Sequence, residues 1–435
     1  MSKESFFCHR LWNMLSVRQQ GFWGHCSSSF SHPNKGYLFN EEKRIHISEL
    51  GVNEALNSET LKKMRKKMVS GEVPPECAKC QELESLNKPS LRQLTNDEVG
   101  PSSREAVNVI SPDGSLTSPN VELLELRLTN KCNISCRSCS PESSNQTVPI
   151  HAEIWGEGSY WDMGEEITFT KKGPTFNYSE ERFDWVEDKE NWNALEEVIP
   201  TVRKIHFTGG EPFLIKNHSL FLEKIIEANR AQDIIIEYNT NLTILPDSLI
   251  KLWPHFKRVQ IGISIDGPPR LNEYIRNGLN HATFEKNLFK LDSINLKNLV
   301  AWFPLTLMNY NIFKIPETMS YLASLPLVNV NKHKGHDLLR VHALRNPSFL
   351  SVENLPVTLK EKVHFEYQSF LEKLPDNRIL EGYQEQVRDN LNYILKLISK
   401  ECTQEESWEK FIHYTSKFDE ISGFKAHELC PELNL

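Results

Sequence analysis

Val121 to Cys139 reads VELLELRLTNKCNISCRSC. Its first eight residues largely alternate apolar and charged side chains, the period of a strand with one buried face. The run ends before Asn130, so Cys132, Cys136 and Cys139 fall on the loop after a strand, with the spacing C-x3-C-x2-C. Buried structural thiols need no such clustering on a polar loop, whereas a metal does. Ligand number then sets the chemistry. A cubane has four iron corners; three thiolates hold three of them and leave one open to an exogenous ligand, unlike the closed four-cysteine pattern of an electron carrier. A structural zinc site and scattered core thiols are the alternatives at this point.

The same unit of strand and polar motif recurs downstream. Arg203 to Phe207 reads as a strand followed by Thr208, Gly209, Gly210, Glu211 and Pro212, then a helix bearing Leu220, Leu222, Ile225 and Ile226. Ile234 to Tyr238 ends at Asn239, Thr240 and Asn241, and Val259 to Ile265 ends at Asp266, Gly267 and Pro268. Leu299 to Leu305 repeats the pattern, a helix is expected over Ile315 to Leu325, and Val328 to Asn331 begins a further strand. Strands alternating with helices give a parallel sheet with α crossovers. Polar motifs just after the strands sit where barrel-like α/β folds keep their catalytic groups. From about Thr358 onward the chain reads as helices, with Pro375 and Gly423 as interruptions.

Composition narrows the class. With 39% hydrophobic and 25% charged residues in 435, the chain is globular, not disordered or fibrous. No apolar run approaches the roughly 20 residues of a membrane span, and the start has no apolar signal core, so neither membrane nor secretion is expected. The net charge of -8 offers no general attraction to nucleic acid. Nine cysteines, an odd number, argue against a full disulfide framework, and exposed iron–sulfur chemistry at them would call for a reducing cytoplasm. Cys402 and Cys430 stand apart and read as buried thiols. Cys8, Cys26, Cys77 and Cys80 supply four soft ligands, enough for zinc or an iron–sulfur cluster. Between them Leu61, Met64 and Met68 mark a helix over Ser58 to Val69, its basic run reading as a solvated face.

The loop from Cys132 to Cys139 resembles the signature loop of the radical S-adenosylmethionine (radical SAM) enzymes. The resemblance implies a partial (β/α)6 TIM barrel over 121–335, with an insertion at about 140–178 that carries Trp155 and Trp161. It implies a 4Fe–4S cluster on Cys132, Cys136 and Cys139, S-adenosylmethionine chelated at the open iron, and a 5′-deoxyadenosyl radical that abstracts a substrate hydrogen. Gly209, Gly210, Glu211 and Pro212 resemble the family motif for the cofactor's amino group. Thr240 and Asn241 resemble residues near its ribose, and Ser264, Asp266 and Gly267 resemble the S-x-D-G element. Arg276 resembles the arginine that pairs with the cofactor carboxylate, a planar anion a guanidinium suits. Ser138 departs from the pattern, which often has an aromatic or large apolar residue there.

Residues 1–86 are similar to the twitch or SPASM-type auxiliary cluster modules, here set N-terminal to the core. The expected fold class is thus α/β, a radical SAM barrel with a small N-terminal α+β cluster-binding domain, a linker over 87–120 and a C-terminal helical region over 336–435. That resemblance implies a second, auxiliary 4Fe–4S cluster on Cys8, Cys26, Cys77 and Cys80. It also implies an oxidoreductase drawing on an external one-electron reductant such as flavodoxin or ferredoxin, and a small-molecule or peptide substrate. An electron carrier that does not cleave the cofactor and a nucleic-acid-modifying enzyme are the other readings. His333, His336 and His342 are candidates for proton transfer, with ordinary structural histidines as the bland alternative.

Overall fold

The computed structural model describes all residues except 1–5, 33, 86–87, 100–109, 157, 163–164, 173–174, 179–182, 331–337 and 400–405. The strands in chain order are β1 Met14–Val17, β2 Trp23–Gly24, β3 Phe39–Asn40, β4 Lys43–Arg44, β5 Leu123–Arg127, β6 Gly158–Asp162 and β7 Glu165–Lys172. They continue with β8 Thr175–Tyr178, β9 Lys204–Thr208, β10 Ile235–Thr240, β11 Arg258–Ile263, β12 Leu299–Trp302, β13 Pro304–Leu307 and β14 Arg340–Ala343. One sheet takes seven of them in the order β12-β11-β10-β9-β5-β1-β2. Parallel pairing sets Ser16 opposite Glu125, Glu125 opposite His206, and His206 opposite Glu237. Alternation makes the two faces chemically different. Ile205, Phe207, Ile236 and Tyr238 are buried, with Phe207 stacked on Tyr238 at 5.0 Å and flanked by Phe213 and His218. Lys204, His206 and Glu237, on the other face, are only partly covered.

The N-terminal residues do not form a separate cluster-binding domain set before the barrel, and that part of the expected fold class is corrected. Met14, Leu15 and Val17 are buried, and β2 pairs with only one edge of β1. The other edge would leave its N–H and C=O groups unpaired. It is satisfied by β5, to which β1 runs parallel from Met14↔Leu123 to Val17↔Leu126. The first strands thus extend the core sheet, and the added region of the chain is the one that follows the core. That region contains β14 and the helices Val357–Lys373, Gln384–Ile398 and Glu406–Ser422, the last ending before Gly423 at φ +76°.

Other local expectations change for identifiable reasons. Val328 to Val330 form a turn, because their three N–H groups all donate to the Asp292 carboxylate, at 2.7–2.9 Å. β13 leaves the main sheet and pairs with β14. The stretch around 158–178 is a three-stranded antiparallel sheet, β6-β7-β8, and Leu91–Val99 is helical. The helix Glu59–Val69 buries Arg65 with Leu61, Met64 and Met68; Arg65 Nε donates to Leu11 O at 2.7 Å, so one member of the basic run serves the interior.

Two compact units divide the chain. One comprises Met1–Asn130, Glu181–Tyr238 and Ser248–Val259; the other comprises Lys131–Glu180, Asn239–Asp247 and Gln260–Leu435. Among the described residues no helix is long and apolar enough to cross a membrane.

Candidate functional site

The three-cysteine loop lies in the second unit, stitched by backbone bonds to the segment around Arg276. Ser135 N donates to Asn277 O and Arg137 N to Ile275 O, each at 2.8 Å, so the two carbonyls bracket residue 276. Cys132 N donates to Asn145 Oδ1 at 2.9 Å, and Ser144 Oγ donates to Ile134 O at 2.9 Å, closing the loop from its far side. Cys132 and Cys136 are buried. A hydrogen bond from Cys139 holds the Cys136 thiol below its usual range against burial, with Arg276 assisting. The same bond, burial and the charges of Cys136 and Cys132 push Cys139 well up. The three sulfurs therefore share one electrostatic environment.

Arg276 is anchored by Asp266. Its Nη1 donates to Asp266 Oδ2 at 2.7 Å, while Asp266 Oδ1 accepts from Thr306 N at 2.9 Å and Asp266 O accepts from Asn311 Nδ2 at 2.9 Å. Both carboxylate oxygens of Asp266 are thus engaged within the protein. Arg276 Nε is buried and has no hydrogen-bond partner among the described residues. Asn241 Nδ2 reaches Cys132 Sγ at 3.9 Å and Asn133 Oδ1 at 3.0 Å. Thr240 Oγ1 accepts from Leu242 N at 3.0 Å, and Ser264 N donates to Thr240 O at 2.9 Å. Cysteine loop, Thr240, Asn241, Ser264, Asp266 and Arg276 all belong to one unit.

The Gly209–Pro212 motif belongs to the other unit and follows β9. Gly209 has φ +123°, and a Cβ there would stand 2.7 Å from Thr129 O, so both conformation and space call for glycine. Gly210 N donates to that same carbonyl at 2.7 Å. Glu211 is buried, and its Oε1 accepts from Phe213 N at 3.1 Å, capping the short helix that Pro212 opens.

Residues 126–322 match the Radical SAM superfamily. Over those residues the chain is similar to the radical SAM superfamily. Among solved structures, native anSMEcpe with bound AdoMet and Cp18Cys peptide is similar at 14% identity and TM-score 0.35, over 59% of this chain and 62% of that one. Streptococcus suis SuiB bound to precursor peptide SuiA is similar at 12% identity and TM-score 0.34, over 85% and 73%. The chain thus spans about 62% of the length of anSMEcpe. No curated protein matches it. The core match begins at residue 126, and the N-terminal strands lie in the core sheet. The expectation of a twitch or SPASM-like module placed before this radical SAM core is therefore corrected: the first strands belong to the core sheet, and the region that flanks the core is C-terminal.

A radical SAM core holds a 4Fe–4S cluster and S-adenosylmethionine, and the residues present fit both. Three thiols share one environment, and the buried, unsatisfied Arg276 Nε–H is the donor a carboxylate would satisfy. Cys8, Cys26, Cys77 and Cys80 converge separately, within the first unit. Burial and then Cys26 push the Cys8 thiol up to about 12. Cys77 is raised by burial, Cys8, Cys26 and Cys80, and Cys80 by burial and Cys26, so every pair of the four is close enough to interact. The thiols line one cavity with Arg10, whose Nε and Nη1 are buried without hydrogen-bond partners among the described residues. Among the described residues no group of three or more His, Cys, Asp or Glu is set to hold a single metal ion. Only Cys402 and Cys430 follow Cys139 in the chain, too few to close a four-thiolate site.

Two features escaped the sequence reading. Glu125, His206 and Glu237 form one row across three strands, and only strand register reveals it. Burial opposes ionisation of Glu125, but Arg127, His206, Arg18 and Arg10 outweigh it and hold the carboxyl at about 2. The other is Arg137, buried inside the cysteine loop and paired with Asp419 at 2.6 Å. His342 is exposed on β14, and His333 and His336 lie outside the described residues, as does Cys402. Side chains of the 158–178 sheet, Trp161 included, also lie outside them. Trp155 stacks on Tyr414 at 6.2 Å, a packing role.

Proposed function

We propose that the protein is a radical SAM oxidoreductase acting on a small-molecule or peptide substrate, with Cys132, Cys136 and Cys139 as ligands of its cofactor-binding cluster. When bound, the cluster supplies one electron to S-adenosylmethionine, giving methionine and a 5′-deoxyadenosyl radical that abstracts hydrogen. The residues of the chain bind and orient. Arg276, braced by Asp266, offers its Nε–H to the cofactor carboxylate, and Asn241, in contact with Cys132, orders that side of the loop. Thr240 and Ser264 would serve the ribose, and the Gly209, Gly210, Glu211 and Pro212 motif would serve the methionyl amino group. The observation that carries the reading is the three-thiol loop, with Cys132 and Cys136 buried, held directly against the Arg276 segment.

The test is reductive cleavage of S-adenosylmethionine by anaerobically reconstituted protein. Wild type should form 5′-deoxyadenosine, and Cys136→Ala should not. Reversible redox chemistry with no cleavage in wild type would instead establish an electron carrier. Salt-sensitive RNA binding, with a modified nucleoside lost on deletion, would move the substrate to nucleic acid.

The four N-terminal thiols are proposed to hold a second 4Fe–4S cluster built into the extended sheet. The unsatisfied guanidinium of Arg10 supports an anionic occupant of their cavity. A one-electron reductant is required as partner, and a reducing cytoplasm suits such oxygen-sensitive groups.

A further inference from the structure

Between Cys136 and Cys139 the loop carries a charged side chain that ligates nothing, Arg137, and it is fully buried. A buried guanidinium is costly unless paired. Here Nη2 donates to Asp419 Oδ1 at 2.6 Å and to Ser422 Oγ at 3.2 Å, and Nε donates to Tyr274 O at 2.9 Å. The guanidinium also lies over the Tyr274 and Phe418 rings at 3.8 and 4.2 Å. The backbone is held as well, since Tyr414 Oη donates to Arg137 O at 2.9 Å. Tyr414, Phe418, Asp419 and Ser422 all lie on the single helix Glu406–Ser422. Asp419 cannot readily turn away, because its Oδ2 accepts from Ala426 N at 2.6 Å. One helix, remote in sequence, therefore grips one of the two residues that separate two proposed ligands, by side chain and main chain together.

We propose that Asp419 is a positioning residue for the cluster site: through Arg137 it fixes the backbone between Cys136 and Cys139, and so the direction in which their sulfurs are presented. This role rests on Cys132, Cys136 and Cys139 being the cluster ligands. It makes the C-terminal helix part of the site's scaffold. Apolar replacement of a buried ion pair commonly preserves a fold, so stability and positioning can be separated.

The full chain is reconstituted anaerobically with iron and sulfide. Asp419→Ala, Asp419→Glu and the double variant Arg137→Met with Asp419→Leu are then compared with wild type. Readouts are thermal midpoint before reconstitution, and the electron paramagnetic resonance spectrum of the reduced protein as S-adenosylmethionine is added. Asp419→Ala should need about tenfold more cofactor for the same spectral change, the size seen for groups that orient metal ligands. Asp419→Glu should recover most of the response. The double variant should recover the thermal midpoint but not the response. A wild-type response in Asp419→Ala, or in the double variant, would show that the pair only stabilises the fold and would overturn the proposal. A wild-type chain that reconstitutes but shows no cofactor-induced spectral change refutes the cluster reading itself, a separate and recognisable failure.

Discussion

Asp266 illustrates how one side chain can brace a site by holding its neighbours. Its two oxygens are taken by Arg276 and by the Thr306 N–H, and it is nearly fully buried. Asp266→Asn removes the charge and sets an amide N–H against one of those donors. It should lower stability by about 3 kcal/mol or more in urea denaturation, the cost of leaving a buried charge uncompensated. Glu125 makes a comparable case with a pH signature. Its folded-state pKa is depressed to about 2, so its contribution is complete above the unfolded value near 4.5 and is lost as pH falls through about 2. Glu125→Gln should therefore be less stable than wild type by about 3 kcal/mol at pH 7, and the two unfolding midpoints should converge across that acid window. A constant difference down to pH 2 would mean that the carboxylate is not what Arg127, His206 and the other cations act on.

Among elements, the turn after β9 is the most tightly specified. Gly209 combines φ +123° with a 2.7 Å approach to Thr129 O, so Gly209→Ala should cost about 1–3 kcal/mol. The same substitution should weaken S-adenosylmethionine binding, measured by equilibrium dialysis of reconstituted protein. The helix after that turn, Asn217–Glu227, carries buried His218 against Phe207 and Tyr238. Burial lowers its pKa to about 4, opposed by the bond to Ile215 O. A depressed histidine is neutral in the folded chain and protonated in the unfolded one, so stability falls as pH drops from about 6.5 towards 4. His218→Phe should flatten that limb by up to about 1.4 kcal/mol per pH unit, read as the urea midpoint between pH 7 and pH 5. Strand positions such as β9 and β10 were legible in advance, because alternation and terminating Gly, Asn or Pro are local properties. The turn at Val328 was not legible, since Asp292 captures its N–H groups from another part of the chain.

For the whole molecule, the number of clusters is the sharpest prediction. Anaerobic reconstitution should give about eight irons and eight sulfides per chain, and Cys77→Ala or Cys136→Ala should each remove about four. About four in wild type, unchanged by Cys77→Ala, would leave the N-terminal thiols as ordinary buried cysteines. Their convergence belongs to tertiary structure, because Cys8, Cys26 and the Cys77–Cys80 pair are far apart in the chain yet each acts on the others.

The amino-acid sequence by itself determined the order of core strands and the polar motifs at their ends. It also set three thiols within eight residues of one loop, because periodicity and ligand spacing are encoded between near neighbours. Tertiary structure alone decided that β1 joins the core sheet, that Glu125, His206 and Glu237 share a row, and that Asp419 holds Arg137. Those outcomes depend on unpaired strand edges and buried charges finding partners across long separations, and no local pattern names the partner.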